Sequence, residues 1–422
     1  MPEFLTLLPP NEARMLLLSH LAAPTIDPES IDMLHALGRF TASDIFAPHP
    51  LPDFPRTTVD GYAVRAKDTF GASDSLPAYL TLIGEVPMGD SPSFEIGAGQ
   101  CALIHTGGML PDGADAAVMI EYTQSIGKGG SQSAPTGEIE VFKSVADGEN
   151  IIRIGEDVAQ GQLVIPKGSV IRPAEIGGLM ALGFTSINVA KKPRVGLIST
   201  GDEVIDPSQS PRPGQVRDIN SYTLSALVEK TGGTAIRYGI FSDNFQVLKE
   251  AAAKALSECD VLIITAGSSA STRDMTAEVI RTLGEPGVLV HGINTRPGKP
   301  TILSVCNGKA VIGLPGNPVS ALVNGYLFVV PVIEKLLGAL PKPKATVQAE
   351  LTVNLSSQAG REDWWPVKLV VSGQSSVISY LAEPIFGKSN LIFTLASADG
   401  LLRIHPDATG LSAGEVVEVM LI

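Results

Sequence analysis

From Pro193 onward the chain alternates short runs that are apolar on both faces with longer runs of helical periodicity. RVGLIST, TAIRYGI, DVLIITAG and AVIGL read as strands, and SYTLSALVEKTGG, NFQVLKEAAAKALSE and TAEVIRTLG read as helices between them. Strands without a polar face must be covered on both sides, so the pattern predicts a central three-layer α/β/α domain around a mostly parallel sheet over residues 191–338. In such sheets ligands bind beyond the carboxyl ends of the strands. Four polar loops fall there: Gly201-Asp202-Glu203, Ser242-Asp243, Gly267 to Asp274, and Pro315-Gly316-Asn317-Pro318.

Upstream the pattern changes twice. Residues 46–150 are rich in Gly and Pro and carry short β-like runs (YLTLIGEV, CALIH, AAVMIEY, EIEVF), which predicts an inserted β-rich domain. Residues 10–45 show helical stretches behind caps, with Asn11 before EARMLLLSHLA and Asp27 to Ser30 before IDMLHALG. Residues 151–190 return to a mixed pattern with PAEIGGLMALG as a short helix. Together, 1–45 and 151–190 are expected to form one small discontinuous N-terminal α/β domain. Past Pro341-Lys342-Pro343-Lys344 the runs TVQAELTV, DWWPVKLVV, SSVISYLA and GEVVEVMLI predict a C-terminal β domain over 339–422. The uncharged segment Ala310 to Ile333 is broken by Pro315, Gly316, Asn317, Pro318 and Pro331. It is therefore read as buried strand, turn and core helix, and not as a membrane span.

Charge and cysteine content narrow the class. A net charge of −13 over 422 residues argues against nonspecific nucleic-acid binding, though local basic groups can still hold a small anion. Three cysteines, Cys101, Cys259 and Cys306, stand far apart, which suggests no disulfide framework and fits a reducing cytosol. The N-terminus has no basic stretch ahead of its apolar residues, so no secretory signal is expected and the predicted location is cytoplasmic.

The chemistry concentrates in RPGKPTILSVCNGKAVIGLPGNPVSA, residues 296–321. Asn317 is placed as N-cap and Pro318 as the first helical residue, so Pro315 and Gly316 lead into a helix N-terminus that suits an oxyanion. Arg296 and Lys299 add positive charge nearby. Glu203, Asp243 and Asp274 follow strand ends, where carboxylates either cap loops or, converging, bind a hard cation such as magnesium through oxygen. The hydroxyl-rich run Gly267 to Thr272, with Ser269, either caps a helix starting near Thr272 or cradles phosphate oxygens. Gly97-Ala98-Gly99-Gln100-Cys101-Ala102 formally matches a dinucleotide fingerprint, but strand-like residues follow it where a helix is required. The six histidines show no metal-ligand spacing, and Asp60 and Thr106 sit in segments that read locally as turns.

In order, TVDGYAVR, HTGGMLPDGADAAVM, ENIIRIGEDV, GLISTGDEV, GQVRDINSY, GIFSDN, RPGKP and GLPGNPVSA make residues 56–320 resemble the molybdopterin molybdenumtransferase family, MoeA and the gephyrin E domain. The resemblance implies insertion of molybdate into adenylated molybdopterin with release of AMP, giving molybdenum cofactor. It also implies a homodimer of four-domain subunits whose active site both chains build. Asp60 and Thr106 would then reach in from the partner, while Glu203, Asp243, Asp274, Pro315 and Pro318 would belong to the sheet domain. Asp157, in the GED motif, would support the site, and Arg296 and Lys299 would hold anionic groups. On this reading Glu203, Asp243 and Asp274 hold magnesium at the pyrophosphate, and Asp60 gives a proton to an oxo group of molybdate. General-acid help of that kind typically supplies about 10²–10⁴-fold.

The sequence departs from the family pattern where TAGSSASTRD replaces a loop of the form SGGVSVG ending in an acid, with Ala266 and Ser271 at former glycine positions and Arg273 added. Val59 stands where the family usually has Met. Two other functions compete: adenylation of molybdopterin, which uses a similar α/β domain, and a non-catalytic scaffold of gephyrin type. Transient contact with other cofactor-biosynthesis proteins would accompany the main reading.

Overall fold

The computed structural model describes residues 7–22, 27–126, 137–266, 270–372 and 379–422. Its centre is a six-stranded sheet whose four inner strands are almost wholly buried. In spatial order the six are Thr234–Phe241, Arg194–Thr200, Val261–Ala266, Lys309–Pro315, Ile302–Cys306 and Pro286–His291. The first four run parallel and the last two antiparallel. The hairpin joining the fourth and fifth turns on Asn307 and Gly308, both at positive φ (52° and 81°), a pairing that matches the right-handed twist of the flanking strands.

The helices cover both faces. On one side lie α1 (Pro10–His20), α3 (Asn220–Thr231), α6 (Pro318–Asn324) and α7 (Val330–Leu336), with Leu17, Leu224, Leu314, Phe328 and Ile333 in one core. On the other side α4 (Phe245–Glu258) and α5 (Ala270–Arg281) enclose Ile198, Leu248, Ile264 and Ile280. The side chain of Asn244 caps α4 by accepting from the amides of Gln246 (3.0 Å) and Val247 (3.1 Å). A π turn over Gly325–Val329 joins α6 to α7 just ahead of Pro331, which has no N–H to offer the helix. The continuous helix Pro318–Leu336 is long and apolar enough to span a membrane, but most of it is buried in this core.

Two β-rich units flank the centre. In the first, a six-stranded sheet is ordered Ala116–Met119, Gly61–Val64, Gln100–Ile104, Ala78–Val86, Gly137–Val141 and Thr123–Ile126. Gln100–Ile104 is thus a strand, so the glycine fingerprint before it opens no helix. In the C-terminal unit, Glu362–Ser372 pairs with both Ser379–Pro384 and Gly400–Ile404. Thr346–Leu351 and Val416–Leu421 complete a ring that closes the sheet into a small barrel.

The N-terminal expectation needs two corrections. Residues 28–32 form a strand antiparallel to Ser186–Ala190, followed by a single 3₁₀ turn at Met33–His35, where a helix was expected. Pairing with a strand some 150 residues away overrides the local helical pattern. Around it, Met33, Ile171, α2 residue Leu179 (α2 spans Pro173–Ala181) and Val189 form a small separate core. Helix α1, by contrast, belongs to the central core through Ala13, Leu17 and Leu21, not to this small unit. Leu17→Ala, at a fully buried position, should therefore destabilise the central domain by about 2–5 kcal/mol, measured by denaturant unfolding; a loss confined to the small N-terminal core would refute the docking.

Candidate active site

A cavity of about 590 Å³ opens between the central sheet and the C-terminal barrel. The RPGKP loop forms one wall. Thr295–Arg296 pairs in parallel register with Glu362–Asp363, and the Thr295 hydroxyl donates to the Glu362 carbonyl at 3.1 Å, so the loop is stitched to the barrel. Gly298 (φ 104°) lies against Asn324 of α6: a Cβ there would fall 1.7 Å from Nδ2. That amide donates to the carbonyls of Ser320 (2.8 Å) and Pro297 (3.2 Å), which clamps the loop onto the helix.

Four cationic side chains face this cavity: Arg296 and Lys299 from the loop, Arg361 and Lys388 from the barrel. Arg361 is fixed by a bidentate pair with Asp363, Nε to Oδ1 at 2.7 Å and Nη2 to Oδ2 at 2.9 Å. The hydrogen bond to Asp363 raises the guanidinium above its ordinary range, and Asp363 itself is fully buried. The Arg296 guanidinium lies 5.5 Å from the ring centre of Trp365, which also lines the cavity. Arg296 and Lys299 were legible in the sequence. Arg361, Lys388 and Trp365 were not among the expected site residues.

The PGNP turn lies beside this cavity with a different hydrogen-bond pattern from the one expected. Pro315 and Asn317 line it, and Pro318 starts α6. Asn317 occupies the N-cap position but makes no capping bond; its Nδ2 donates to the Ser389 hydroxyl at 3.1 Å. The Val319 amide donates to the Ser389 carbonyl at 3.0 Å. The barrel thus consumes one of the helix N–H groups expected to face an anion, and the side-chain cations carry the positive charge instead. The Gly316 carbonyl accepts from Asn220 Nδ2 at 2.8 Å. Next to Asn220, buried Asp218 accepts from Ser199 Oγ (2.8 Å), Ser221 Oγ (2.7 Å) and the Ser221 amide (3.1 Å), tying α3 to the end of a central strand.

The acids do not converge. Glu203 and Asp274 are exposed and Asp243 half-buried, each beyond a different strand of the row Thr234–Phe241, Arg194–Thr200, Val261–Ala266. Neighbouring strands are about 4.8 Å apart, so the outer two start about 10 Å from one another. Among the described residues no three His, Cys, Asp or Glu side chains gather closely enough to hold a metal ion. The expected three-carboxylate magnesium site is therefore not assembled by the protein alone. Asp202, which the sequence placed in one of the polar loops but not among the site residues, organises this edge by accepting the Asp243 amide at 3.2 Å. Ser269 lies outside the described residues; α5 begins at Ala270, ahead of the expected start near Thr272.

Asp60 and Thr106 meet on the inserted β unit. Asp60 Oδ1 accepts the Thr106 amide (2.8 Å) and its hydroxyl (3.1 Å), and these donors hold the exposed carboxyl below its ordinary value. An acid so held is ionised at neutral pH, which opposes its expected role as proton donor. Neither residue lines the cavity, nor does Asp157, which is exposed and whose amide donates to the Leu51 carbonyl at 3.1 Å.

Known proteins match this arrangement along the whole chain. Residues 8–183 match the MoeA N-terminal region (domain I and II), 196–335 a probable molybdopterin binding domain, and 348–422 the MoeA C-terminal region (domain IV). A putative molybdopterin biosynthesis protein of Methanocaldococcus jannaschii is 38% identical, with 93% of this chain and 92% of that protein aligned. A molybdopterin molybdenumtransferase of Bacillus subtilis is 32% identical over 93% and 90%. The crystal structure of a molybdopterin biosynthesis MoeA protein from Pyrococcus horikoshii OT3 superposes with a TM-score of 0.85 at 34% identity, covering 99% of this chain and 100% of that one.

Two outcomes check the site. In Thr106→Val the Asp60 titration midpoint, followed by carboxyl NMR, should rise toward 3.8 without reaching it, because the backbone donor remains; an unmoved midpoint would remove the hydroxyl from the account. Gly298→Ala should disorder the RPGKP loop and weaken oxyanion binding at least about tenfold, read by calorimetric titration with molybdate; unchanged affinity would show that the Asn324 clamp does not shape the cavity. Fold, cavity and sequence agree that this chain belongs to the MoeA family of molybdopterin molybdenumtransferases.

Proposed function

We propose that this protein is a molybdopterin molybdotransferase, inserting molybdate into the dithiolene of adenylated molybdopterin with release of AMP. The observation that carries the reading is the cavity where Arg296, Lys299, Arg361 and Lys388 meet the flat face of Trp365. A dianionic oxyanion and a phosphorylated, planar pterin both suit such a lining. The barrel supplies Arg361, Lys388 and Trp365, a use that an adenylating α/β domain alone would not have for it. Arg361, locked by Asp363, presents donors in a fixed orientation, whereas Lys299 offers a mobile point charge.

Asp60 and Thr106 lie outside their own chain's cavity, which supports a homodimer in which the β unit of a second copy completes the site. Asp60 would act there as an ionised acceptor. Releasing an oxo group as water takes two protons, which then come from the thiols of the incoming dithiolene or from other groups at the cavity, such as a lysine ammonium. Glu203, Asp243 and Asp274 are ligands of the type magnesium takes, and would each reach such an ion from a different strand end. A cytosolic setting is consistent with three free, buried cysteines.

Purified protein mixed with adenylated molybdopterin, magnesium and molybdate should release AMP only when molybdate is present, and should reconstitute a cofactor-free molybdoenzyme. AMP release independent of molybdate would reject the transferase reading. The shared site is tested separately. Asp60→Ala and Lys299→Ala should each be inactive, yet an equal mixture after subunit exchange should recover about a quarter of wild-type activity, since half the dimers carry one intact site of two. No recovery from folded, exchanging subunits would reject the dimeric site.

A further inference from the structure

A second cavity, of about 490 Å³, lies between α1 and the C-terminal barrel. It is lined by Arg14 and Asn11 of α1, Lys344 of the linker, and Arg403 and His405 of the barrel. Leu401, Arg403 and His405 occupy alternate positions and face outward here, while Leu402 and Ile404 face the barrel core. A neighbouring recess of about 390 Å³ shares Lys344, Trp364, Arg403 and His405 and carries Glu415 and Glu418 on its rim.

The charge balance of the larger cavity is unusual for so acidic a protein. Its one lining carboxylate, Glu362, is buried and already committed, accepting from Trp364 Nε1 at 2.8 Å and from Arg403 Nε at 2.9 Å. His405 Nδ1 is 3.0 Å from Asp407. Among the described residues Arg14 bonds only to the neutral amide of Asn11, at 2.6 Å, and neither Arg14 nor Lys344 has a carboxylate within ion-pair distance. Burial and then Arg14 push the Lys344 ammonium below the usual lysine range, with Glu334 of α7 acting the other way. Two cations are thus held close enough to repel; Glu334, which does not line the cavity, acts on both, and a further anion between them would relieve the remaining repulsion. Trp364, Leu327 and Met420 give the opposite wall an apolar face.

We propose that this cavity is a second anion site, distinct from the oxyanion cavity, that binds a phosphate group through Arg14, Lys344 and Arg403, with Trp364 as its wall. Trp364 also lines the first cavity, so the two sites share one partition. The phosphate is either free or the head of a phosphate ester whose flat or apolar body lies along Trp364.

The chain holds only two tryptophans, Trp364 and Trp365, which makes the site readable by fluorescence. In Trp365→Phe, with Lys299→Ala added to weaken the first cavity, inorganic phosphate or AMP should change the Trp364 emission saturably. Adding Arg14→Gln and Lys344→Gln should lower the apparent affinity at least about tenfold. If that combination fails to fold, as judged by its thermal midpoint, Lys344→Gln alone should still weaken binding. Tighter AMP than phosphate would assign an ester, and equal affinities would assign the free ion. A response abolished by Lys299→Ala and unmoved by Lys344→Gln, or no saturable response to either probe, overturns the proposal.

Discussion

The short parallel ladder between Thr295–Arg296 and Glu362–Asp363 holds the site together. It is where the central domain and the barrel pair as a β ladder, and the cationic groups of the main cavity lie around it. Arg296 is a member of the ladder and Lys299 follows three residues on. Asp363, the other end of the register, is fully buried and fixes Arg361 in a bidentate pair. Removing one partner of such a pair leaves a buried charge exposed to no compensation, so the geometry is held tightly. Glu362, the remaining ladder residue, braces Trp364 and Arg403 on the far side.

From that seam the other constraints follow. The RPGKP loop cannot drift because Gly298 is pressed against Asn324, and the PGNP turn cannot drift because Asn220 and Ser389 hold it from opposite domains. The anion is therefore met by side chains set on rigid supports, which is the arrangement preorganised binding requires. The acidic edge of the sheet is looser. Its carboxylates fan over three strands, and the Asp202 contact to the Asp243 amide draws two of its loops together.

The structure also divides labour among charges. Asp60 is surrounded by donors and stays ionised, whereas the cavity opposite the barrel is lined by cations. One chain brings these halves no closer than separate units, and that separation is why a second copy enters the functional reading.

The sequence by itself determined the central sheet, because runs such as VLII at 261–264 are apolar on both faces and call for cover on both sides of the sheet. It also determined Arg296, Lys299 and the strand–turn–helix at Pro315 to Pro318, since Pro and Gly restrict backbone conformation locally. Local pattern failed where partners lie far away in the chain. Residues 28–32 became a strand because Ser186–Ala190 was there to pair with them, and α1 left the N-terminal unit because Leu17 found a place on the central core. Arg361, Lys388 and Trp365 joined the site only when the barrel closed against the RPGKP loop, and Asn317 gave up its cap to Ser389 for the same reason. Periodicity and turn chemistry report on neighbours in sequence; the convergence of charges from positions 296, 361 and 388 is a property of packing, and only the folded chain could decide it.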